Sequence, residues 1–160
     1  MTPQRIAFFA EGIPKGQPRP RAYFNPRTHR AGVYTDRSAE VWKGVVAASS
    51  LLHRPLSPLE GPIGVMLTFR LPRPKSLCRK KDPVGPIYCG SKPDVDNLAK
   101  AVLDVLTQLG FWRDDSQVAS CAIYKFYVAK PELKNPKITL PGVSVSIRQL
   151  GETTEATPCP

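Results

Sequence analysis

KPDVDNLAKAVLDVLTQLGFWRDDSQV, running from Lys92 to Val118, decides how the chain is read. Its apolar residues Val95, Leu98, Ala99, Val102, Leu103, Leu106 and Leu109 recur at i, i+3, i+4, i+7, so the spacing predicts an amphipathic helix. Asp94 or its neighbour stands at the N-cap position, and Gly110 stands where a left-handed residue ends a helix. Asp96, Lys100 and Asp104 fall four residues apart, on a face turned away from the core. A second acidic pair, Asp114 and Asp115, follows before a run with strand alternation.

This stretch also runs against the charge of the chain around it. The 160 residues carry 23 Lys and Arg against 13 Asp and Glu, a formal net charge of +10. Residues 92–117 hold five acids and only three bases. Two carboxylates ~5 Å apart repel by about 3 kcal/mol at an effective dielectric of ~20. Three acids gathered in one place therefore take up protons or bind a cation, and Mg²⁺ or Mn²⁺ is the natural partner of hard oxygen ligands. Spacing alone leaves a second reading open. Asp94 is then a cap, Asp96 a first-turn acid favoured by the helix dipole, Asp114–Asp115 a turn, and Asp96–Lys100 a surface pair. A helix from 94 to 109 is about 24 Å long at ~1.5 Å per residue. Asp115 must therefore return along the sheet, or come from another copy of the chain, to meet Asp94.

The totals bound the function. A hydrophobic content of 41% argues for a folded domain with a real core, and 18 prolines argue for many loops. The positive balance points toward polyanions, nucleic acid above all. No run of ~18 apolar residues exists, so no membrane span is expected. The opening MTPQRIAFFAEG has too short an apolar core, and no small-residue cleavage site, for a signal peptide. Cys78, Cys89, Cys121 and Cys159 show no CxxC spacing and no nearby His, so reduced thiols in a cytoplasmic protein are expected rather than a zinc site.

Taken outward from the helix, the chain reads as strands and loops. RIAFFA, residues 5–10, forms a short buried strand. The following GIPKGQPRPRAYFNPRTHRAGVYTD is so dense in Pro and Gly that no regular element is expected. It carries Lys15, Arg19, Arg21, Arg27 and Arg30 with Tyr23, Phe24 and His29, a mixture suited to holding phosphates and stacking on a base; the alternative is a solvated loop. Residues 36–53 read as a helix capped by Ser38 or Asp36, with Val41, Trp42, Val45, Val46 and Leu52 toward the core. IGVMLTFRLP makes a strand ending near Leu71. Residues 72–91 have no period and bring Arg73, Lys75, Arg79, Lys80 and Lys81 up to Lys92, as a second DNA-contacting arm or a disordered insertion. Strands are expected over about 117–129 and 143–147, and the polar tail 151–160 is expected to be disordered. The order is β-α-β-α-β-β: an α/β (α+β) single domain over 1–150, with a mixed β-sheet and two main helices.

The signature resembles that of the RusA family of Holliday junction resolvases, commonly encoded by phages and prophages. The resemblance lies in D-x-D-N at Asp94, Asp96 and Asn97, then Lys100, Asp104, and D-D-x-Q-V at Asp114, Asp115, Gln117 and Val118. GIPKGQPRPR is similar to that family's first basic loop. The resemblance implies a homodimeric, Mg²⁺-dependent endonuclease (Mn²⁺ substituting) that nicks four-way DNA junctions symmetrically in recombination and repair. It also implies that Asp94, Asp96 and Asp115 are the metal-site acids and Lys100 the essential lysine. DNA contacts are expected from Lys15, Arg19, Arg21, Arg27, Arg73, Lys75, Arg79, Lys80, Lys81 and Lys92. With His29 and His53 far away in sequence, activation of water falls to the metal. Two other functions compete: a metal-dependent nuclease for flaps or branched replication intermediates, and a non-catalytic basic DNA-binding module.

Overall fold

Strand β1, Arg5–Glu11, alternates as its sequence demands: Ile6, Phe8 and Ala10 are buried while their neighbours face the other way. The computed structural model describes residues 5–18, 20–34 and 37–151, with the side chains of Arg21 and Tyr34 excepted. The remaining elements are strands β2 (Arg21–Asn25) and β3 (Arg30–Tyr34), helix α1 (Glu40–Leu51), β4 (Ile63–Leu71), β5 (Ile87–Tyr88), α2 (Val95–Gln108), β6 (Val118–Tyr127), a one-turn α3 (Pro136–Thr139) and β7 (Gly142–Gln149). They form a mixed five-stranded sheet in the order β1-β7-β4-β6-β5 and a separate β2-β3 hairpin. The α+β class with a mixed sheet and two main helices is as expected. The element order is richer than β-α-β-α-β-β.

The sheet is antiparallel except at its centre, where β4 and β6 run parallel. Parallel neighbours require a crossover, and α2 lies in it. As a central strand between β7 and β6, β4 buries Ile63, Val65, Leu67, Phe69 and Leu71. Register stacks the helix-facing side chains in rows, such as Phe8–Val145–Leu67–Ile123. Onto these rows α2 lays Leu98, Ala99, Ala101, Val102, Val105 and Leu106, with Leu103 and Leu109 at the edge. Val95 stays on the rim at 40% exposed, so the apolar stripe begins one turn later than its spacing suggested. The helix ends as Gly110 (φ +73°) permits: Phe111 N–H donates to Leu106 C=O and Gly110 N–H to Thr107 C=O, each at 3.0 Å, a Schellman closure.

Three expectations need correction. The Pro- and Gly-rich loop is regular from Arg21, because the Pro residues stop at Pro20 and the next, Pro26, sits in the hairpin turn. The Asn25 side chain accepts from Arg27 N–H to shape that turn. Helix α1 begins at Glu40 with Ala39 as N-cap and no side-chain cap bond, and Asp36 lies outside the described residues. Its core face is Trp42, Val46 and Ser50, spaced by four; Val41 and Leu52 are 81% and 93% exposed, lying off that line. Residues 72–91 are internally organised. Arg73 donates to the carbonyls of Leu77, Pro83 and Gly85, and the buried Lys130 ammonium donates to those of Arg79 and Asp82. Of the tail, only Gly151 is among the described residues.

Gly142 opens β7 opposite Glu11 of β1, and a Cβ there would stand 2.3 Å from Ala10 O and 2.6 Å from the Phe9 ring. Gly142→Ala must push these strands apart. It is expected to cost about 1–3 kcal/mol, read as a lower urea midpoint with an unchanged slope.

Candidate active site

Because α2 connects parallel strands, its first turn lies near their carboxyl ends, where ligands collect in such units. Asp94 is the N-cap residue in extended backbone (φ −68°, ψ 143°), yet its side chain makes no cap hydrogen bond. Capping therefore does not occupy this carboxylate. With Asp96 it lines an open cleft of about 500 Å³ whose other walls are Tyr88, Cys89, Val95, Ile123, Tyr124 and Lys125. The positive end of the helix macrodipole faces the same place. Burial alone would push the Cys89 thiol up, but hydrogen bonds with Tyr127 and Ser91 and the nearby Lys125 charge bring it below its ordinary value.

The first basic loop closes over this turn. Gln17 N–H donates to Asn97 C=O at 2.9 Å, and a Cβ on Gly16 would stand 3.1 Å from the Asn97 Cβ. A side chain at Gly16 would crowd this contact, and the approach brings exposed Lys15 toward the start of α2. Lys100, one turn into the helix, pairs with Asp104 at 3.1 Å and is mostly exposed. His53 stacks on Phe8 and His29 meets Phe24 edge-on in the hairpin, so neither lines the cleft.

Asp115 is elsewhere. Its carboxylate accepts a hydrogen bond from the Thr107 hydroxyl, in the last turn of α2, and Thr107 in turn accepts from the Trp112 indole at 2.7 Å. Eleven positions separate Thr107 from Asp96, about 16 Å at ~1.5 Å per residue. The tight exit explains this: Asp114 caps a 3₁₀ turn, Asp115–Gln117, that leads straight into β6. Hydrogen bonds from Ser116 hold the Asp114 carboxyl below the usual range. Gln117 ties the turn down, accepting from Arg113 and Asp114 N–H and donating to Leu59 and Gly61 C=O. A single chain thus brings together Asp94 and Asp96 but not Asp115. Among the described residues no group of three or more His, Cys, Asp or Glu is placed to hold a metal. The pair still suits Mg²⁺, which keeps several waters and takes one or two protein carboxylates beside substrate phosphates.

Of the expected DNA contacts, Lys15, Arg27, Lys75, Arg79, Lys80, Lys81 and Lys92 are exposed. Arg79 also pairs with Asp82 at 3.3 Å, and Arg73 is half-buried and holds its own loop together. Arg19 and the side chain of Arg21 lie outside the described residues. Tyr88, Tyr124 and Lys125 line the cleft without belonging to any of the sequence motifs. Lys125 alone left a signal, a lysine in the same strand phase as Cys121 and Ile123.

The family model described as "Endodeoxyribonuclease RusA" matches residues 11–135. An uncharacterized protein, YqaN, of Bacillus subtilis (strain 168) is 32% identical over 134 residues, 81% of this chain and 92% of that protein. A crossover junction endodeoxyribonuclease RusA of Escherichia coli (strain K12) is 51% identical over 37 residues, 23% of this chain and 31% of that enzyme. The enzyme of the same name from Enterobacteria phage 82 matches to the same extent. No helix among the described residues is long and apolar enough to cross a membrane.

Proposed function

Because the chain belongs to the RusA family of endodeoxyribonucleases, we propose that it is a Mg²⁺-dependent, structure-selective nuclease that resolves four-way DNA junctions by paired nicks. The observation that carries this reading is the Asp94–Asp96 pair. Both carboxylates line one cleft at the positive end of a helix, and Asp94 is not consumed by capping. In this reading they hold the ion, which when bound polarises the scissile phosphate and lowers the pKa of a water. Lys100, steadied by Asp104, supplies positive charge to the phosphate as negative charge develops on it. Two symmetric nicks call for two sites related by a two-fold axis, which a homodimer provides. In such a dimer the third carboxylate, Asp115, would be contributed to each Asp94–Asp96 pair by the second copy.

The DNA is held by the first loop, the hairpin and the arm at 73–81. The hairpin leaves Tyr23 and Phe24 more than half exposed beside Arg27 and Arg30, a combination suited to backbone and base. If about six phosphates are neutralised, junction affinity falls roughly 10³-fold between about 50 and 200 mM salt. Fluorescence anisotropy of a labelled junction across that range checks it. We place the protein in the bacterial cytoplasm, in recombination and repair, as a phage-type enzyme. A nicking assay with Mg²⁺ on a four-way junction, a flap and a plain duplex tests the proposal. Preference for the junction, with two symmetric cuts, is expected. A flap preference would move the function to branched replication intermediates, and binding without nicking would reduce it to a DNA-binding module.

A further inference from the structure

Across the helix-facing side of the sheet, Ala10, Val143, Phe69 and Lys125 form one register row. The first three are completely buried, so a lysine occupies the fourth place of a core row. An ammonium set in that phase is costly unless its donors are satisfied. Lys125 Nζ donates to Ser91 C=O at 2.6 Å and to Pro93 C=O at 2.8 Å. These carbonyls flank Lys92, and the second belongs to the residue just before Asp94. Two more bonds reinforce the clip: Cys89 N–H donates to Lys125 C=O at 3.0 Å, and the Ser91 and Tyr127 hydroxyls meet at 2.5 Å. Lys125 is also one of the residues lining the cleft with Asp94 and Asp96.

We infer that Lys125 is a positioning residue for the Asp94–Asp96 pair, its ammonium fixing the two carbonyls that lead into α2 and so the place where both carboxylates present. The inference rests on the metal-dependent reading above, and charge alone argues the opposite effect. An ammonium beside two carboxylates repels a divalent cation, so removing it should tighten metal binding if its role were electrostatic. Removing it should loosen metal binding if its role is to hold the pair in place. The sign of the change separates the two.

The test compares full-length wild type with Lys125→Met, Lys125→Arg and Tyr127→Phe. Lys125→Met is expected to bind Mn²⁺ about 10-fold more weakly by titration, within the ~10–100-fold range for groups that orient metal ligands. The amide of Leu98, which donates to Asp94 C=O at 3.1 Å, should lose about 10-fold of its hydrogen-exchange protection, with protection in β4 and β7 kept. Lys125→Arg should restore both in large part. Tyr127→Phe, which removes one bond of the clip and leaves the core row intact, should loosen the same amide about 3-fold. Unchanged or tighter Mn²⁺ binding in Lys125→Met, or unchanged Leu98 protection, overturns the inference. Should Lys125→Met fail to fold, the Leu98 amide in Tyr127→Phe decides in its place. If wild type neither nicks junctions nor binds Mn²⁺, the nuclease reading fails, and the exchange data still decide whether Lys125 holds the helix start.

Discussion

Asp96→Asn is expected to abolish junction nicking while leaving junction binding intact. The substitution keeps the shape of the side chain and removes the charge that a divalent cation needs. Its structural cost is small, because a first-turn acid contributes only about 0.3–1 kcal/mol through the helix dipole. Asp96 is also exposed, so no core contact is lost. The loss of rate should be roughly 10²–10³-fold or more, the scale seen when a group that stabilises developing charge is removed. Nicking with Mg²⁺ and gel-shift binding with Ca²⁺ measure the two quantities separately. Retention of nicking within about 3-fold of wild type would remove Asp96 from the chemistry and move the nicking site elsewhere on the chain. Asp104→Asn is the useful contrast. It frees Lys100 from its partner at 3.1 Å without touching the cleft, so its effect should be smaller and should disappear in Lys100→Met.

The largest effect on stability is expected from Phe69→Ala. Phe69 lies on the central strand, completely buried, with Val143 on one side and Lys125 on the other. Truncation removes a ring from beneath the helices and leaves a cavity that the flanking strands cannot collapse into, costing about 3–5 kcal/mol. That is a large share of the ~5–15 kcal/mol that holds a domain folded. At ~2–4 °C per kcal/mol for a chain of this size, the melting temperature should fall on the order of 10 °C. Calorimetry checks the shift, and a fall of less than about 3 °C would mean that the core is not organised around β4. The same variant should lose nicking, since Lys125 is the register neighbour of Phe69 on β6 and the row they share would be disturbed. Asp96→Asn, by contrast, should leave the melting temperature nearly unmoved.

The two variants divide the molecule much as sequence and tertiary structure divide the information. Helix α2, the strands β1, β4, β6 and β7, and the mixed α+β class were legible because each rests on a local apolar period. The period matches 3.6 residues in one case and two in the others. The hairpin was missed because Pro and Gly were read by density, whereas their positions, outside the strands and in the turn, decide. Val41 and Leu52 were misplaced because a helix face needs its partner before its edge is known.

The candidate site divides the same way. Asp94 and Asp96 sit two residues apart at the start of a helix, so their neighbourhood is covalent, and sequence alone places them together. Asp115 could be named from its motif, but its position depends on how sharply the chain leaves α2. A Schellman turn and a 3₁₀ turn leave it at the helix's far end. The docking of Gly16 and Gln17 onto Asn97, and the reach of Lys125 to Ser91 and Pro93, join segments some 30 to 80 positions apart. Such contacts exist only once β4 and β6 are paired in register. Register comes from the packing of a whole core, which no local pattern contains.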